Sequence, residues 1–258
     1  MKSFDADRFR ARSRETKPEL GRPLMYEAVT GSTNDNALAA ARAGAPHGSL
    51  FVADEQTAGR GRRGNTWLAA PGENLLFSVL VRPKLELSQA SALTLAVGLA
   101  LRDAIGPLLN EPAHIKWPND LYVNGKKLAG ILVESQLQGD RLQAVVVGIG
   151  LNVATRDFPP EIAARATSLA LLGKGHVERE PLLQEVLNAL ARRLNAYQSS
   201  GVAGICDELN AADALRGQRI RVDSHEGVGH GIDEQGRLLL QDDARRVHAI
   251  IAGTVEFR

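Results

Sequence analysis

Asn124-Gly125 separates two runs of strand-forming residues, Leu121-Tyr122-Val123 before it and KLAGILVESQ after it. Asn-Gly suits the two positive-φ positions of a two-residue turn, so the dipeptide fixes an antiparallel hairpin in whatever sheet the chain builds. More strands lie on either side. Leu24–Val29, SLFVADEQ, NLLFSVLVRP (closed by Pro83), HIK and LQAVVVGIGLNV all read as short, largely buried strands. Helical segments interrupt them. Ser32, Thr33 and Asn34 read as capping residues ahead of a helix that carries Ala37, Leu38 and Ala41 on one face, and Gly44 and Pro46 stop it. A helix starting near Ser88 is apolar almost all round and therefore central. Leu183, Leu187, Leu190, Leu194 and Tyr197 recur at helical spacing opposite a basic face with Arg192 and Arg193.

Beyond Asp213 the texture changes to short apolar runs between turns, about five strands of SH3-like size. The expected fold class is α+β: a mixed-sheet domain followed by a small SH3-like β-barrel. The expected divisions are an N-terminal arm (1–23), a main domain (24–210) and a C-terminal β domain (211–258). Residues 1–22 hold seven Lys/Arg against four Asp/Glu, which reads as a solvated arm or a short helix.

Composition narrows the function. The net charge of +1 over 258 residues excludes a general polyanion trap, so a nucleic-acid reader would need its cations gathered locally. The single cysteine, Cys206, excludes a disulfide framework and a Cys-rich zinc site, and the six histidines stand at no metal-ligand spacing, so no metal ligands are expected. The charged N-terminus has no signal-type apolar segment. The longest apolar run, ASALTLAVGLALRDAIGPLL, is broken by Arg102, Asp103 and Pro107, so the expectation is a cytoplasmic chain without a membrane span. No Ser-His-Asp order appears, which disfavours covalent catalysis and favours electrostatic clamping of a bound phosphate.

Four stretches can carry such chemistry. QTAGRGRRGNTW sets Arg60, Arg62 and Arg63 among Gly59, Gly61 and Gly64, directly after a strand. Guanidinium forks suit carboxylate and phosphate oxygens, and glycines let backbone approach a ligand. Three arginines in four positions repel one another, so the loop is expected to be mobile until an anion arrives. It is neither a Walker A loop nor a dinucleotide fingerprint. A solvated basic loop and an RNA-backbone contact remain open readings. In HIKWPND, Lys116 ends a strand, Pro118 forces a turn, Asn119 and Asp120 stand at the mouth of the resulting site, and Trp117 reads as core. In KKLAGILVES, Gly130 marks a bulge or a close backbone approach and Glu134 ends the strand. In GIGLN, two glycines end a strand ahead of Asn152, whose amide suits a ring edge or a hydroxyl; turn residues are the plainer reading.

GSTN, QTAGRGRRGNTW, KWPNDLYVNGKKLAGILVE and GIGLN, in this order and at these gaps, resemble the biotin protein ligases, also called biotin–[acetyl-CoA-carboxylase] ligases. The resemblance runs from about Ser32 to the C-terminus. It implies a two-step reaction: biotin and ATP give biotinyl-5'-AMP and pyrophosphate, with Mg²⁺ escorting the phosphates, and biotin then passes to a lysine of a biotin carboxyl carrier protein. It implies that Ser32, Thr33, Asn34 and Gln56 line the biotin head group. Arg60, Gly61 and Arg62 would fold over biotin and phosphate, and Lys116 would contact phosphate and carboxylate oxygens, with Lys116 and Arg62 catalytic. Trp67, Asn119 and Asn152, together with Arg62, would lie near the nucleotide. Bifunctional members carry an N-terminal helix-turn-helix domain; here the first strand begins near Leu24, so the resemblance implies the monofunctional form, with no sequence-specific nucleic acid or membrane partner and with a homodimer left open. A lipoate or octanoate transferase of the same fold, and a non-enzymatic nucleic-acid binder, are the competing expectations.

Overall fold

The computed structural model describes residues 3–173 and 175–258; Met1, Lys2 and Lys174 lie outside the described residues. Seven strands form one mixed sheet: β1 (Leu24–Thr30), β2 (Leu50–Gln56), β3 (Leu75–Val81), β4 (His114–Lys116), β5 (Asp120–Val123), β6 (Lys126–Gln138) and β7 (Arg141–Leu151). Their spatial order is β1-β2-β3-β7-β6-β5-β4. β1 and β2 run parallel and every other neighbouring pair is antiparallel. The β5–β6 hairpin turns where the sequence indicates, with Asn124 at φ 51° and Gly125 at φ 74°. The helices are α1 (Ala6–Thr16), α2 (Thr33–Arg42), α3 (Leu87–Ala90), α4 (Leu93–Ile105), α5 (Pro160–Ala163), α6 (Arg179–Ser200) and α7 (Cys206–Ala212). The single helix expected from Ser88 is therefore two. A tight turn at Ala92, closed by the Leu95 amide on the Ala92 carbonyl, parts the short α3 from the buried α4.

The sheet has two unlike faces, set by the two-residue period of its strands. Leu75, Phe77, Val79 and Val81 of β3, with Val145, Val147, Ile149 and Leu151 of β7, join α4 and α6 in the main core. The alternate residues face the other way. There α2 packs Ala37 and Ala41 onto Leu80, Ala144 and Val146. Further along that same face the strands change character: β3 offers Ser78, β7 offers Gly148 and Gly150, and β6 offers Gly130. The apolar ground thus ends at the N-terminus of α2 and a bare, polar strip of sheet begins.

The N-terminal stretch takes the second of its two expected forms. Asp5 caps α1 by accepting from the Arg8 amide, and Phe4 and Phe9 are buried in the main core. Asp54 anchors the segment: its carboxylate accepts from the Phe4 amide (3.1 Å), the Tyr26 hydroxyl (2.7 Å) and Arg179 of α6 (2.8 Å). Both Asp54 and Arg179 are buried, so each compensates a charge that would be costly alone.

The last five strands are β8 (Arg219–Val222), β9 (His225–Ile232), β10 (Leu238–Gln241), β11 (Val247–Ile250) and β12 (Val255–Phe257). They form an antiparallel sheet in the order β11-β10-β9-β8-β12, which fits a small SH3-like domain; among the described residues β11 and β12 do not pair to close a barrel. Its inner residues Ile220, Val222, Ile232, Leu238 and Leu240 continue the main core. Trp117, a core residue as expected, donates its Nε1 to the Gly236 carbonyl at 3.0 Å, and the Ala214 amide bonds the Ile115 carbonyl.

Asp213 sits in this seam, beside Ile115, with Oδ1 accepting from the Leu215 amide. Burial lifts its carboxyl to about 6, against the pull of the Leu215 amide and Arg216. A carboxyl whose folded pKa lies above its unfolded value holds more protons folded than unfolded between the two, so stability falls as pH rises through that window. Asp213→Asn is therefore expected to stabilise the chain by about 1–3 kcal/mol near neutral pH, with the gain fading as pH falls through 6 and absent below about 4. Urea denaturation at both pH values checks this; an equal effect at both would contradict it.

Candidate active site

The bare strip of sheet floors a pocket of about 690 Å³, lined by Ser32, Thr33, Asn34, Gln56, residues 60–63, Trp67, Lys116, Asn119, Asp120, Gly130 and Asn152, while Gly59, Gly64 and Glu134 stand outside the lining. Three layers build it: the first turn of α2, the arginine-glycine loop, and the β4–β5 turn with the end of the second sheet.

Ser32, Thr33 and Asn34 do not cap α2 with their side chains. Ser32 occupies the N-cap position without a side-chain cap bond, and the other two turn inward. The Thr33 amide donates to Gln56 Oε1 at 2.8 Å, the Thr33 and Ser78 hydroxyls stand 2.8 Å apart, and the Ser78 hydroxyl donates to Asn34 Oδ1 at 2.6 Å. Asn34 Nδ2 donates to Glu134 at 2.8 Å. Because the Ser78 proton goes to Asn34, Ser78 can only accept from Thr33, whose single hydroxyl proton is shared between Ser78 and Gln56 Oε1. Gly148 makes this possible, since a Cβ there would overlap the Asn34 carboxamide. Glu134 lies inside β6 rather than at its end, because the strand continues to Gln138.

The loop doubles back on itself. The Gly61 amide bonds the Asn65 carbonyl and the Trp67 amide bonds the Gly59 carbonyl, around a 3-10 turn over Arg62–Gly64. Trp67 then lies flat on Gly130 and Gly150, which face each other across β6 and β7; a Cβ on either would run into the indole. The two glycines of GIGLN are thus seats within β7, not turn residues at its end. The three arginines relieve their repulsion by diverging. Arg60 pairs with Asp35 and with Glu134 (2.7 Å), Arg62 reaches Asn119 Oδ1 at 3.5 Å, and Arg63 pairs with Asp223 of the second sheet at 3.0 Å. Burial pulls the Arg60 pKa down, but Glu134 and Asp35 outweigh it and the net shift is upward. Arg62 is shifted downward by burial and by Arg63.

The third layer is cationic and aromatic. Lys116 and Asp120 pair across the short β4–β5 hairpin. The Lys116 ammonium lies 3.4 Å from the Tyr122 hydroxyl and 4.9 Å from the centre of the Phe257 ring. Burial lowers its pKa, Lys127 and Arg165 push the same way, and Asp120 and Glu256 oppose them. Lys127 bonds Asp120 at 2.7 Å and lies 5.5 Å from the Trp67 ring centre. Asn119 donates to the Ile131 carbonyl, which fixes the acceptor that faces Arg62. Asn152 is buried, and its Nδ2 donates to the Thr167 carbonyl, so that donor is already engaged within the fold.

Sequence reasoning did not assign Ser78, Lys127, Arg165, Glu256 or Phe257 to the site. Ser78 carried a signal: a lone hydroxyl in an otherwise apolar seven-residue strand. Lys127 follows the hairpin turn by two residues and belongs to the GKKLAG run, where its direction depends on the register of β6. Glu256 and Phe257 carried none, because they reach the pocket from β12 of the other sheet.

Among the described residues no group of three or more His, Cys, Asp or Glu side chains is placed to hold a metal ion, and no helix is long and apolar enough to cross a membrane. Residues 26–152 match the model of the biotin/lipoate A/B protein ligase family. A biotin–[acetyl-CoA-carboxylase] ligase of Mycobacterium tuberculosis is 37% identical over 244 residues, covering 91% of this chain and 88% of that protein. The bifunctional ligase/repressor BirA of Bacillus subtilis is 36% identical over 86% of this chain and 70% of its own length. Among solved structures, the biotin protein ligase of Aquifex aeolicus in complex with biotin and ATP superposes with a TM-score of 0.79 at 30% identity, covering 92% of this chain and 99% of that one.

Proposed function

Since the chain belongs to the biotin/lipoate A/B protein ligase family and, within it, to the biotin protein ligases, we propose that it activates biotin as biotinyl-5'-AMP and passes the biotinyl group to a lysine of a biotin carboxyl carrier protein. The observation that carries this reading is the polarity of the pocket along its length. One end presents the directed donors and acceptors of Thr33, Asn34 and Gln56, the middle is the Trp67 slab, and the other end gathers Arg62, Lys116 and Lys127. Biotin has the matching sequence of groups: a cyclic urea, an apolar ring and chain, and a carboxylate.

In the first step a biotin carboxylate oxygen attacks the α-phosphorus of ATP, a P–O bond forms, the bond to pyrophosphate breaks, and pyrophosphate leaves. Both reactants are anions. Arg62, Lys116 and Lys127 offset their repulsion and stabilise the charge that spreads in the transition state. Trp67 packs beside the adenylate, with Asn119 holding Arg62 in line and Asn152 bracing the strand end below. Magnesium would accompany ATP and offset the charge of its phosphates; among the described residues no group of three or more His, Cys, Asp or Glu side chains is placed to hold it. In the second step the carrier lysine amine attacks the acyl carbon, the C–O bond to AMP breaks, AMP leaves, and the new amide nitrogen loses a proton. A mixed anhydride open to water would hydrolyse, so a cover over the pocket protects it. This chemistry fits the cytoplasm, where ATP and the carboxylase substrate meet.

The test is to mix the purified chain with ATP, Mg²⁺ and biotin and to measure pyrophosphate and biotinyl-AMP. The expected result is one tightly held biotinyl-AMP per chain. Absence of the adenylate, or lipoate displacing biotin from the pocket, would overturn the reading.

A further inference from the structure

Arg60 and Arg63 tie the two sides of the arginine-glycine loop to different bodies of the molecule. Arg60 is held by Asp35 and Glu134 of the first sheet and its helix. Arg63 reaches 160 positions along the chain to Asp223, in the β8–β9 turn, with two parallel bonds: one guanidinium nitrogen to Oδ1 at 3.0 Å and another to Oδ2 at 3.2 Å. The first nitrogen also donates to the Thr254 hydroxyl at 3.3 Å, and the Thr254 amide donates to Asp223 Oδ1 at 3.2 Å. Asp223, Thr254 and Arg63 thus form a closed triangle at the rim of the pocket, which Thr254 and Arg63 line. A bidentate fork fixes direction as well as distance, so Arg63 is held towards the second sheet at the pocket rim while its neighbour Arg62 reaches Asn119. The Arg63 hydrogen bond and charge hold the Asp223 carboxyl below the usual carboxylate range, so the pair is charged at neutral pH.

We propose that Asp223 is a positioning residue: by holding Arg63 it keeps the loop of residues 59–67 against the second sheet, over an acyl-adenylate bound beneath. The proposal rests on the ligase reading above. It gives the second sheet a defined part in the reaction, which is to retain the intermediate between the two steps. Asp223 stands outside the pocket lining, so its loss is expected to leave the binding of biotin alone unchanged and to show in the escape of biotinyl-AMP.

The test compares the unaltered chain, Asp223→Ala, Arg63→Ala, the double variant, and the charge swap Arg63→Asp with Asp223→Arg. Each is loaded with labelled biotin and ATP, and release of biotinyl-AMP is followed after an unlabelled chase. Each single variant is expected to speed release about three- to five-fold, the scale of a well-formed exposed ion pair. The double variant is expected to be no faster than the faster single one, and the swap to recover at least half the loss, which a merely structural role of either residue would not produce. Escape should also appear as biotin on lysines of bystander proteins. Unaltered release in Asp223→Ala, or singles that multiply in the double variant, would overturn the proposal. If the unaltered chain forms no biotinyl-AMP, the ligase reading itself falls and takes this proposal with it.

Discussion

Lys127→Ala is expected to slow pyrophosphate release from ATP and biotin by about 10²- to 10³-fold, and Lys116→Ala by a comparable factor. The two ammoniums stand on one wall of the pocket, with Asp120 between them in sequence and in charge: it pairs with Lys127 at 2.7 Å and raises the Lys116 pKa against the burial that lowers it. Removing Lys127 does more than delete a cation. It leaves the Asp120 carboxylate uncompensated where two further anions must meet, so the remaining field opposes the reaction. Removing Lys116 empties the space between Tyr122 and Phe257 and takes away the ammonium that faces β12 of the second sheet. Because burial holds the Lys116 pKa below the ordinary lysine value, activity should fall at a lower alkaline pH than a free lysine would set, and Lys116→Arg should move that limb upward. Stopped-flow pyrophosphate detection with folded variants decides it; near-normal rates for both alanine variants would remove the cationic wall from the mechanism.

Gly148→Ala is expected to weaken biotin binding by about 10- to 100-fold while the chain still folds. The added Cβ would overlap the Asn34 carboxamide. Asn34 must then leave its bonds to Ser78 and Glu134, and Ser78 loses the acceptor that sets the direction of the Thr33–Ser78–Asn34 chain. Overpacking of this kind costs about 1–3 kcal/mol, and each hydrogen bond lost from a sheltered polar group adds to it. Here the strain falls on ligand-facing groups rather than on the core, since the alternate residues of β7 make the core contacts. Calorimetric titration with biotin, beside thermal melts, separates the two effects. Unchanged affinity would mean that Asn34 does not read the ligand.

Much of this was legible in the sequence. The Asn124-Gly125 turn, the strands of the main sheet, the five final strands and many of the residues that line the pocket could be read from local patterns, because turn chemistry, two-residue alternation and motif spacing are local properties. What escaped depended on pairs distant in the chain. Gly148 and Gly150 read as a strand end because nothing local says that Asn34 and Trp67 will lie on them. The arginines read as a repelling cluster in need of an anion because their acidic partners, Asp35, Glu134 and Asp223, come from three separate elements. Lys127 was passed over for Lys116 because both are lysines beside a turn, and only the register of β5 against β6 shows that both face the pocket. Glu256 and Phe257 enter the site from a sheet whose sequence carries no sign of it.

Joining of biotin to a carrier lysine through an adenylate in this pocket is decided by incubating the purified chain with ATP, Mg²⁺, biotin and a biotin carboxyl carrier domain, then locating the modification by mass spectrometry. One biotinyl group per carrier domain is expected, on its single acceptor lysine, formed only with ATP and accompanied by AMP and pyrophosphate. A carrier left unmodified while the chain is folded and binds biotin would contradict the ligase reading.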